Sequence, residues 1–488
     1  MRWRNVMYQD ATAMAEALRT RELSAEECVQ ASIDRIERLN PALNAVVTTQ
    51  YEQALGRARN LKIGEQPFAG VPILLKDLGQ EQKGELSTSG SRLFANYRAQ
   101  KSDRYTQRLE ELGFIVLGRT NTPEFGFKNI SDSQLHGSVN LPFDVTRNAG
   151  GSSGGAAAAV SSGMVPLAGA SDGGGSIRIP ASFNGLIGLK TSRGRIPVGP
   201  SSYRGWQGAS VHFALTKSVR DTKRLLYHLQ TYQVEAPFPL QTLSWESLFG
   251  YEKRPLKIAF SLQSPIDTQV SADAQAAVLE LVPALEALGH QVRELTAYPL
   301  DGAELISSYY LMNSVETAQM FAGIEASLGR KMRMEDMELM TWAIYRSGHT
   351  IPAYRYSQIL QDWDQYSAKM AVFHETYDVL LTPTVAGVAP KHGQFALDKH
   401  LSEKLQDIDT YGMEEQQELI WQMFEKALAW TPFTPHANLT GQPSISLPTY
   451  QTEQGLPIGI QLTAAKGRED ILLSLAEELG QLHGNFVL

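Results

Sequence analysis

The sequence lacks the features of disulfide-bonded, zinc-binding, nucleic-acid-binding and membrane-spanning proteins. Its 488 residues include one cysteine, Cys28, so no intramolecular disulfide can form, and no Cys/His zinc pattern occurs. There is no run of five basic residues, and the net charge of −8 argues against a nucleic-acid groove. The most apolar stretch, residues 155–170, is broken by serine, glycine and proline and is too short to cross a bilayer. We therefore expect no nucleic-acid partner and no membrane partner, and we interpret Cys28 as a small buried hydrophobe.

Several catalytic motifs are missing as well. The chain has no HExxH zinc motif, no Gly-Lys dipeptide of a phosphate-binding loop and no S-x-x-K of the penicillin-recognising serine enzymes. Its ten histidines are scattered, and none stands in a distinctive motif. We expect neither a metal nor a cofactor. The first twenty residues lack the apolar core of a signal peptide, so we expect a cytoplasmic protein.

Short apolar runs alternate with helical patterns along the chain. Residues 71–75 and 114–117 are typical of buried strands, and a helical pattern lies between them. This order predicts a sheet with helices on its faces. No internal repeat or low-complexity linker interrupts the chain, so we expect a single domain over residues 1–488.

Six further predictions concern individual elements and are taken up again with the fold. They are a helix from the capping box at Ser24 that stops at Asn40-Pro41, a loop at 142–148, a helix over 215–231, one helix over 271–288, a helical layer over 300–377 that covers the sheet and contributes to a pocket, and a mobile loop at 386–415.

One stretch, residues 150–190, combines many glycines with serines and almost no charge. Eleven of the 39 residues from Gly150 to Gly188 are glycine, and the only charged residues from 148 to 189 are Asp172 and Arg178. Glycine adds no packing surface, so such a segment is not an ordinary core. It also has too few charges to be a solvated loop. The composition indicates backbone brought close to a ligand, with N–H groups free to point at it.

A lysine, Lys76, directly follows the apolar run at 71–75. Its side chain could extend to solvent, or it could be a partly buried amine whose pKa is lowered for function. The serines of the glycine-rich stretch also allow two interpretations. Gly150-Gly-Ser152-Ser-Gly154 fits the G-x-S-x-G elbow, but residues 142–148 before it are typical of a loop rather than a strand. A neutral lysine can instead act as the base for a serine, with Ser152 and Ser176 as candidates.

The motifs GVPILLKDL, GGSSGG, DGGGSIRIPA and GLIGLK, in this order and spacing, resemble the amidase signature family. The similarity continues through NTPE, GRIPVGP, LTPT, GQPSISLP and GREDILL, so it spans nearly the whole chain. Within the family, the first and last of these motifs are most similar to the branch that contains 6-aminohexanoate cyclic-dimer hydrolases. The resemblance implies an α/β fold with a large mixed, twisted sheet covered by helices on both faces, and a signature core over 68–200.

The resemblance also implies roles for individual residues. Lys76 matches the catalytic lysine, Ser152 the bridging serine in a cis peptide, and Ser176 the nucleophile. The remaining matches are the oxyanion-hole N–H groups of Gly173, Gly174, Gly175 and Ser176, and the supporting polar residues Ser153, Asp172 and Arg178. The sequence departs from the family at Gly173, where threonine is usual, so a side-chain contact is lost there while the N–H remains.

These roles imply hydrolysis of a small-molecule amide by a monomer or homodimer. Two alternatives stay open: the glutamine-hydrolysing subunit of a tRNA-dependent amidotransferase, and a binding or scaffold protein on the same fold. We expect the walls of the substrate pocket at 125–129, 305–321 and 431–439, because specificity in such an enzyme lies in segments around the pocket.

Overall fold

A computed structural model describes residues 10–250 and 253–486. The first nine residues, on which the expectation about a signal peptide partly rests, lie outside the described residues. No helix in the described part of the chain is long and apolar enough to cross a membrane.

The centre of the fold is one 11-stranded sheet in the order β1-β3-β2-β8-β10-β9-β14-β15-β13-β11-β12, and two small hairpins, β4-β5 and β6-β7, lie outside it. The strands are β1 (Val46–Thr49), β2 (Pro72–Lys76), β3 (Ile115–Thr120), β4 (Asp132–Ser133), β5 (Gly137–Ser138), β6 (Asn140–Leu141), β7 (Asp144–Asn148), β8 (Ala168–Asp172), β9 (Ile187–Lys190), β10 (Val211–Thr216), β11 (Lys257–Phe260), β12 (Gln291–Glu294), β13 (Val379–Pro383), β14 (Ser444–Gln451) and β15 (Pro457–Ala464).

Helices connect and flank these strands. They are α1 (Ala11–Arg19), α2 (Ala25–Leu43), α3 (Tyr51–Asn60), α4 (Arg104–Glu111), α5 (Gly154–Ser161), α6 (Arg178–Phe183), α7 (Val219–Leu229), α8 (Trp245–Phe249), α9 (Ala272–Leu279), α10 (Leu281–Ala287), α11 (Gly302–Leu328), α12 (Leu339–Gly348), α13 (Ala353–Thr376), α14 (Lys399–Gln406), α15 (Met413–Trp430), α16 (Pro435–Thr440) and α17 (Glu469–Leu482).

The sheet is mixed, as the resemblance implies, and the predicted α/β fold is confirmed. Strand β2 pairs in parallel with β3 and with β8, whereas β14 and β15 pair antiparallel with their neighbours. Every residue of β2, β3 and β8 is buried. Strands buried on both faces have unbroken apolar runs, which is why the sequence located β2 and β3 well. Cys28 is buried, as predicted.

The predicted helical segment at 300–377 consists of α11, α12 and α13, but its place in the fold differs from the prediction. The core residues of these helices form, together with those of α14 and α15, a hydrophobic cluster separate from the one around the sheet. The layer therefore packs mainly on other helices beside the sheet instead of covering it. It reaches the loops of the glycine-rich region through partly buried residues such as Trp206 and Phe127.

Several element predictions are wrong in detail. Helix α2 continues past Pro41 to Leu43, because a proline in the last turn removes only one backbone bond. Residues 144–148 form strand β7 and not a loop, and the start of the predicted 215–231 helix is the end of strand β10. The predicted helix at 271–288 is divided into α9 and α10. The predicted loop at 386–415 contains all of α14 and the first turn of α15.

Candidate active site

Lys76 is the last residue of β2, and its side chain has no exposed surface. Its Nζ lies 2.6 Å from the Oγ of Ser152 and 3.0 Å from the Oγ of Ser171. Burial lowers the pKa of Lys76 to about 7, although the negative charge of Asp172 acts in the opposite direction. The interpretation that this lysine extends to solvent is therefore wrong. At neutral pH a substantial fraction of the amine is unprotonated and able to accept a proton.

Ser152 lies in the loop between β7 and α5, and the peptide bond that precedes it, Gly151–Ser152, is cis. This is the geometry that the resemblance implies. Gly151 itself is held against the backbone of Ile130, where an added Cβ would lie 2.6 Å from the carbonyl carbon. Only glycine fits there, since real Cβ atoms do not approach backbone so closely. The loop thereby places the hydroxyl of Ser152 over the amine of Lys76.

Ser176 follows β8 in the turn that leads into α6, and the residue remains 8% exposed. It lines the same pocket as Ser152. The N–H of Ser153 donates to the carbonyl of Ser176 at 3.3 Å, and the Oγ of Ser153 donates to the carbonyl of Ser171. The structure thus brings Lys76, Ser152 and Ser176 to one site, and Ser153 joins the two serine-bearing loops through the backbone.

The turn at 173–176 is organised by the buried carboxylate of Asp172. The N–H of Gly175 donates to its Oδ1 at 2.8 Å, and the N–H of Ile177 donates to its Oδ2 at 3.1 Å. The prediction that all four N–H groups of this turn face a substrate is therefore corrected at Gly175, whose N–H already has a partner. The groups of Gly173, Gly174 and Ser176 remain as candidates.

Arg178 and Asn438 hold Asp172 in place. The guanidinium of Arg178 donates to both carboxylate oxygens, and Asn438 Nδ2 donates to Oδ1 at 2.8 Å. Burial alone would raise the pKa of Asp172, but the charge and hydrogen bonds of Arg178 hold it well below its usual range. Asp172 is consequently a stable anion that fixes the turn.

Gly173, where the family usually has threonine, lies directly beneath an aromatic ring. An added Cβ would lie 2.8 Å from ring atoms of Trp206. Trp206 stacks on Phe127 with ring centroids 6.0 Å apart and meets Tyr309 edge-on. The missing side chain is therefore replaced by an indole from another loop, and the turn is covered rather than left loose.

A pocket of about 370 Å³ opens over Ser152 and Ser176. Two of the three predicted walls are confirmed, because Phe125 and Phe127 line it, as do Thr317 and Met320 of α11. The third is wrong. Residues 431–439 lie behind the glycine turn, where Thr434 Oγ1 donates to the carbonyl of Gly174 and Asn438 binds Asp172.

Sequence reasoning missed Ser171, Trp206 and Asn438. Ser171 stands next to Asp172 at the end of β8, and the parallel neighbour β2 ends in Lys76. The available signal for Ser171 was therefore that the ends of two parallel strands lie side by side. Trp206 and Asn438 reach the site only through tertiary packing, and no local pattern marks them. Among the described residues, no three His, Cys, Asp or Glu side chains group closely enough to hold a metal ion.

Comparisons with known proteins identify the family of the chain. A family model described as Amidase matches residues 27–473. The chain is 40% identical to a lipoamidase of Enterococcus faecalis over 96% of its own length, and it spans 63% of that protein. It is 32% identical to a 6-aminohexanoate-cyclic-dimer hydrolase of Paenarthrobacter ureafaciens, covering 97% of this chain and 94% of the relative. A solved 6-aminohexanoate cyclic dimer hydrolase in complex with substrate superimposes with a TM-score of 0.87 at 32% identity, covering 98% of this chain and 97% of that one.

Proposed function

The chain belongs to the amidase signature family of hydrolases, and from that premise we propose that it cleaves a carboxylic amide through an acyl-enzyme on Ser176. The observation that carries the proposal is the 2.6 Å contact between Lys76 Nζ and Ser152 Oγ, next to the pocket that Ser176 also lines. The products are a carboxylate and an amine or ammonia. Lys76 serves as general base, and Ser152 relays protons between Lys76 and the reacting atoms.

Acylation begins with a proton transfer. Neutral Lys76 takes the proton of Ser152, and Ser152 takes the proton of Ser176 as the Oγ of Ser176 attacks the amide carbon. Ser152 then gives a proton to the leaving nitrogen and regains one from Lys76, and the C–N bond breaks. Water attacks the ester along the same proton path and releases the carboxylate, which leaves Lys76 neutral and Ser176 free. A lysine with a pKa of about 7 suits this role, because a base near the working pH transfers protons in both directions.

The negative oxygen of the tetrahedral intermediate is stabilised in this proposal by the N–H groups of Gly173, Gly174 and Ser176. A single such donor contributes about 3–4 kcal/mol where it has been measured. Asp172, fixed by Arg178 and Asn438, keeps the turn in shape by binding the neighbouring N–H of Gly175.

The two alternatives are less well supported. Glutamine carries a carboxylate beside its ammonium group, and in the described part of the chain no lysine or arginine lines the pocket to pair with that carboxylate. A scaffold protein would have no use for a buried amine, which holds its lowered pKa at a cost of about 5 kcal/mol. An aliphatic amide is the first substrate class to test, because the names of the relatives point to it and Leu78, Phe125 and Met320 form apolar walls. A cytoplasmic location, a single domain and a monomer or homodimer stay predictions.

A serine-directed fluorophosphonate probe tests the proposal. The unaltered protein should be labelled on Ser176 and should hydrolyse octanoyl-4-nitroanilide, whereas Ser176→Ala should lose both properties and remain folded by circular dichroism. Ser357→Ala, at an exposed serine of α13, is the matched control and should behave like the unaltered protein. Undiminished hydrolysis by Ser176→Ala would contradict the proposed nucleophile.

A further inference from the structure

The charge of the substrate pocket is one-sided. Its lining includes Asp103, Glu316 and His212, and in the described residues no lysine or arginine lines it. Burial, with a contribution from the charge of Lys76, lowers the pKa of His212 to about 4, so this imidazole is neutral at pH 7. The two carboxylates therefore determine the charge that a substrate meets.

Asp103 already has partners for both of its oxygens. Its Oδ2 accepts the N–H of Glu81 at 2.9 Å, and its Oδ1 accepts the hydroxyl of Ser201 at 3.2 Å. It also stands at the N-terminus of α4. These contacts account for Asp103 as a residue that shapes the loops of the pocket.

Glu316 is different, because its partners leave half of the carboxylate available. It lies half-buried on α11, and its Oε1 accepts a hydrogen bond of 2.9 Å from Gln207 Nε2 and another from the hydroxyl of Tyr356. No described residue donates a hydrogen bond to its Oε2. Two donors on one oxygen fix the orientation of the carboxylate without neutralising its charge.

One cation, Arg204, lines the groove outside the pocket. Arg204 and Glu316 border the same outer groove, but the guanidinium of Arg204 lies over the ring of Phe238, 5.3 Å from its centroid. In the described part of the chain Glu316 has no ion pair within 4 Å. The negative charge is therefore available to a ligand that enters through the mouth of the pocket.

Aromatic rings line the same pocket as this carboxylate. Trp206 precedes Gln207 in the chain, and both Trp206 and Phe127 line the pocket together with Glu316. The faces of aromatic rings attract cations, so a pocket lined by such rings and a carboxylate suits an ammonium group.

We propose that Glu316 is a specificity-determining residue which selects amides that carry an ammonium group away from the scissile bond. The inference rests on the proposed amide hydrolysis and extends it to a substrate class: aliphatic amides with a primary amine at the far end. The apolar walls contact the methylene chain, and Glu316 receives the charged end. Amides that end in a carboxylate are rejected, because two like charges would meet in a half-buried site.

A matched series of 4-nitroanilides tests this inference. The acyl groups are 7-aminoheptanoyl, octanoyl and the mono-acyl group of octanedioic acid, which have similar length and end in a cation, a methyl group and an anion. The unaltered protein should hydrolyse the first with the highest kcat/KM and the third with the lowest. In Glu316→Gln the ratio of the first to the third should fall about tenfold, which corresponds to about 1.4 kcal/mol. Raising the salt concentration should reduce the ratio in the unaltered protein.

The control variant is Glu286→Gln, which removes the same charge from an exposed position on α10 and should keep the unaltered ratio. Equal kcat/KM for the three anilides, or a ratio that Glu316→Gln leaves unchanged, overturns the inference while the hydrolysis itself still supports the amidase. Absence of both hydrolysis and fluorophosphonate labelling in the unaltered protein overturns the proposed function, and the inference with it.

Discussion

Replacing Lys76 with methionine should abolish hydrolysis and at the same time stabilise the protein near neutral pH. Burial lowers the pKa of this amine from 10.5 to about 7. At about 1.4 kcal/mol for each pKa unit, the folded state loses about 5 kcal/mol at pH 7 relative to an unfolded chain whose lysine is protonated. Methionine has a similar unbranched shape and needs no proton, so this loss disappears in the variant.

The gain is partly offset. Ser152 and Ser171 each lose their hydrogen bond to Nζ, and a buried hydroxyl left without a partner costs about 1–3 kcal/mol. The two hydroxyls together offset at least about 2 kcal/mol, so we expect Lys76→Met to be more stable than the unaltered protein by at most about 3 kcal/mol at pH 7, measured by urea unfolding.

The dependence on pH is the sharper result. Between the folded pKa of about 7 and the unfolded value of 10.5, the unfolded state of the unaltered protein binds the extra proton, so its stability rises with pH. The advantage of Lys76→Met should therefore shrink by about 1.4 kcal/mol per pH unit between pH 7.5 and 9.5. Lys62→Met, at an exposed lysine, is the control. A stability difference that does not change with pH would refute a buried amine with a lowered pKa, and hydrolysis by Lys76→Met would refute its role as base.

Two further predictions concern neighbours of the reacting groups. The kcat/KM of the unaltered protein should rise with pH through the Lys76 pKa of about 7. Ser171→Ala removes an acceptor that stabilises the ammonium form of Lys76, so this rise should move to lower pH by up to about one unit. A rise that stays at the same pH would contradict a positioning role for Ser171. Gly173→Thr should destabilise the protein by about 1–3 kcal/mol in urea unfolding and lower kcat/KM at least tenfold, because its Cβ meets Trp206 at 2.8 Å. Combination with Trp206→Ala should recover stability; additive losses would argue against this contact.

The residues proposed to carry the chemistry could be located in the sequence because each stands at the end of a recognisable element or in a distinctive turn. Lys76 ends an apolar strand, and Ser152 and Ser176 lie in glycine-rich turns without charge. The family resemblance then supplied their roles. For Lys76 the sequence left open whether the side chain extends to solvent or is a buried amine with a lowered pKa, and the structure decides for the buried amine.

What the sequence did not reveal depends on contacts between distant segments. The predicted helix over 215–231 includes the end of strand β10, because the last residues of β10 run directly into the capping signal of α7, and the pairing of β10 with β8 and β9 identifies it as a strand. The support of the glycine turn by Asn438, from α16, is equally invisible locally. No local pattern marks Glu316, because its partners Gln207 and Tyr356 come from other parts of the chain.

The order of strands in the sheet has a consequence for synthesis on the ribosome. Strands β14 and β15 lie between β9 and β13, so residues 444–464 join the half-sheet that carries the reacting groups to the half that contains β11 and β12. Asn438 and Gln461, which hold Arg178, also belong to this late part of the chain. A nascent chain that has not yet released these residues cannot close the sheet or fix the glycine turn. The site around Lys76, Ser152 and Ser176 therefore cannot be completed until residues 438–464 have also left the exit tunnel.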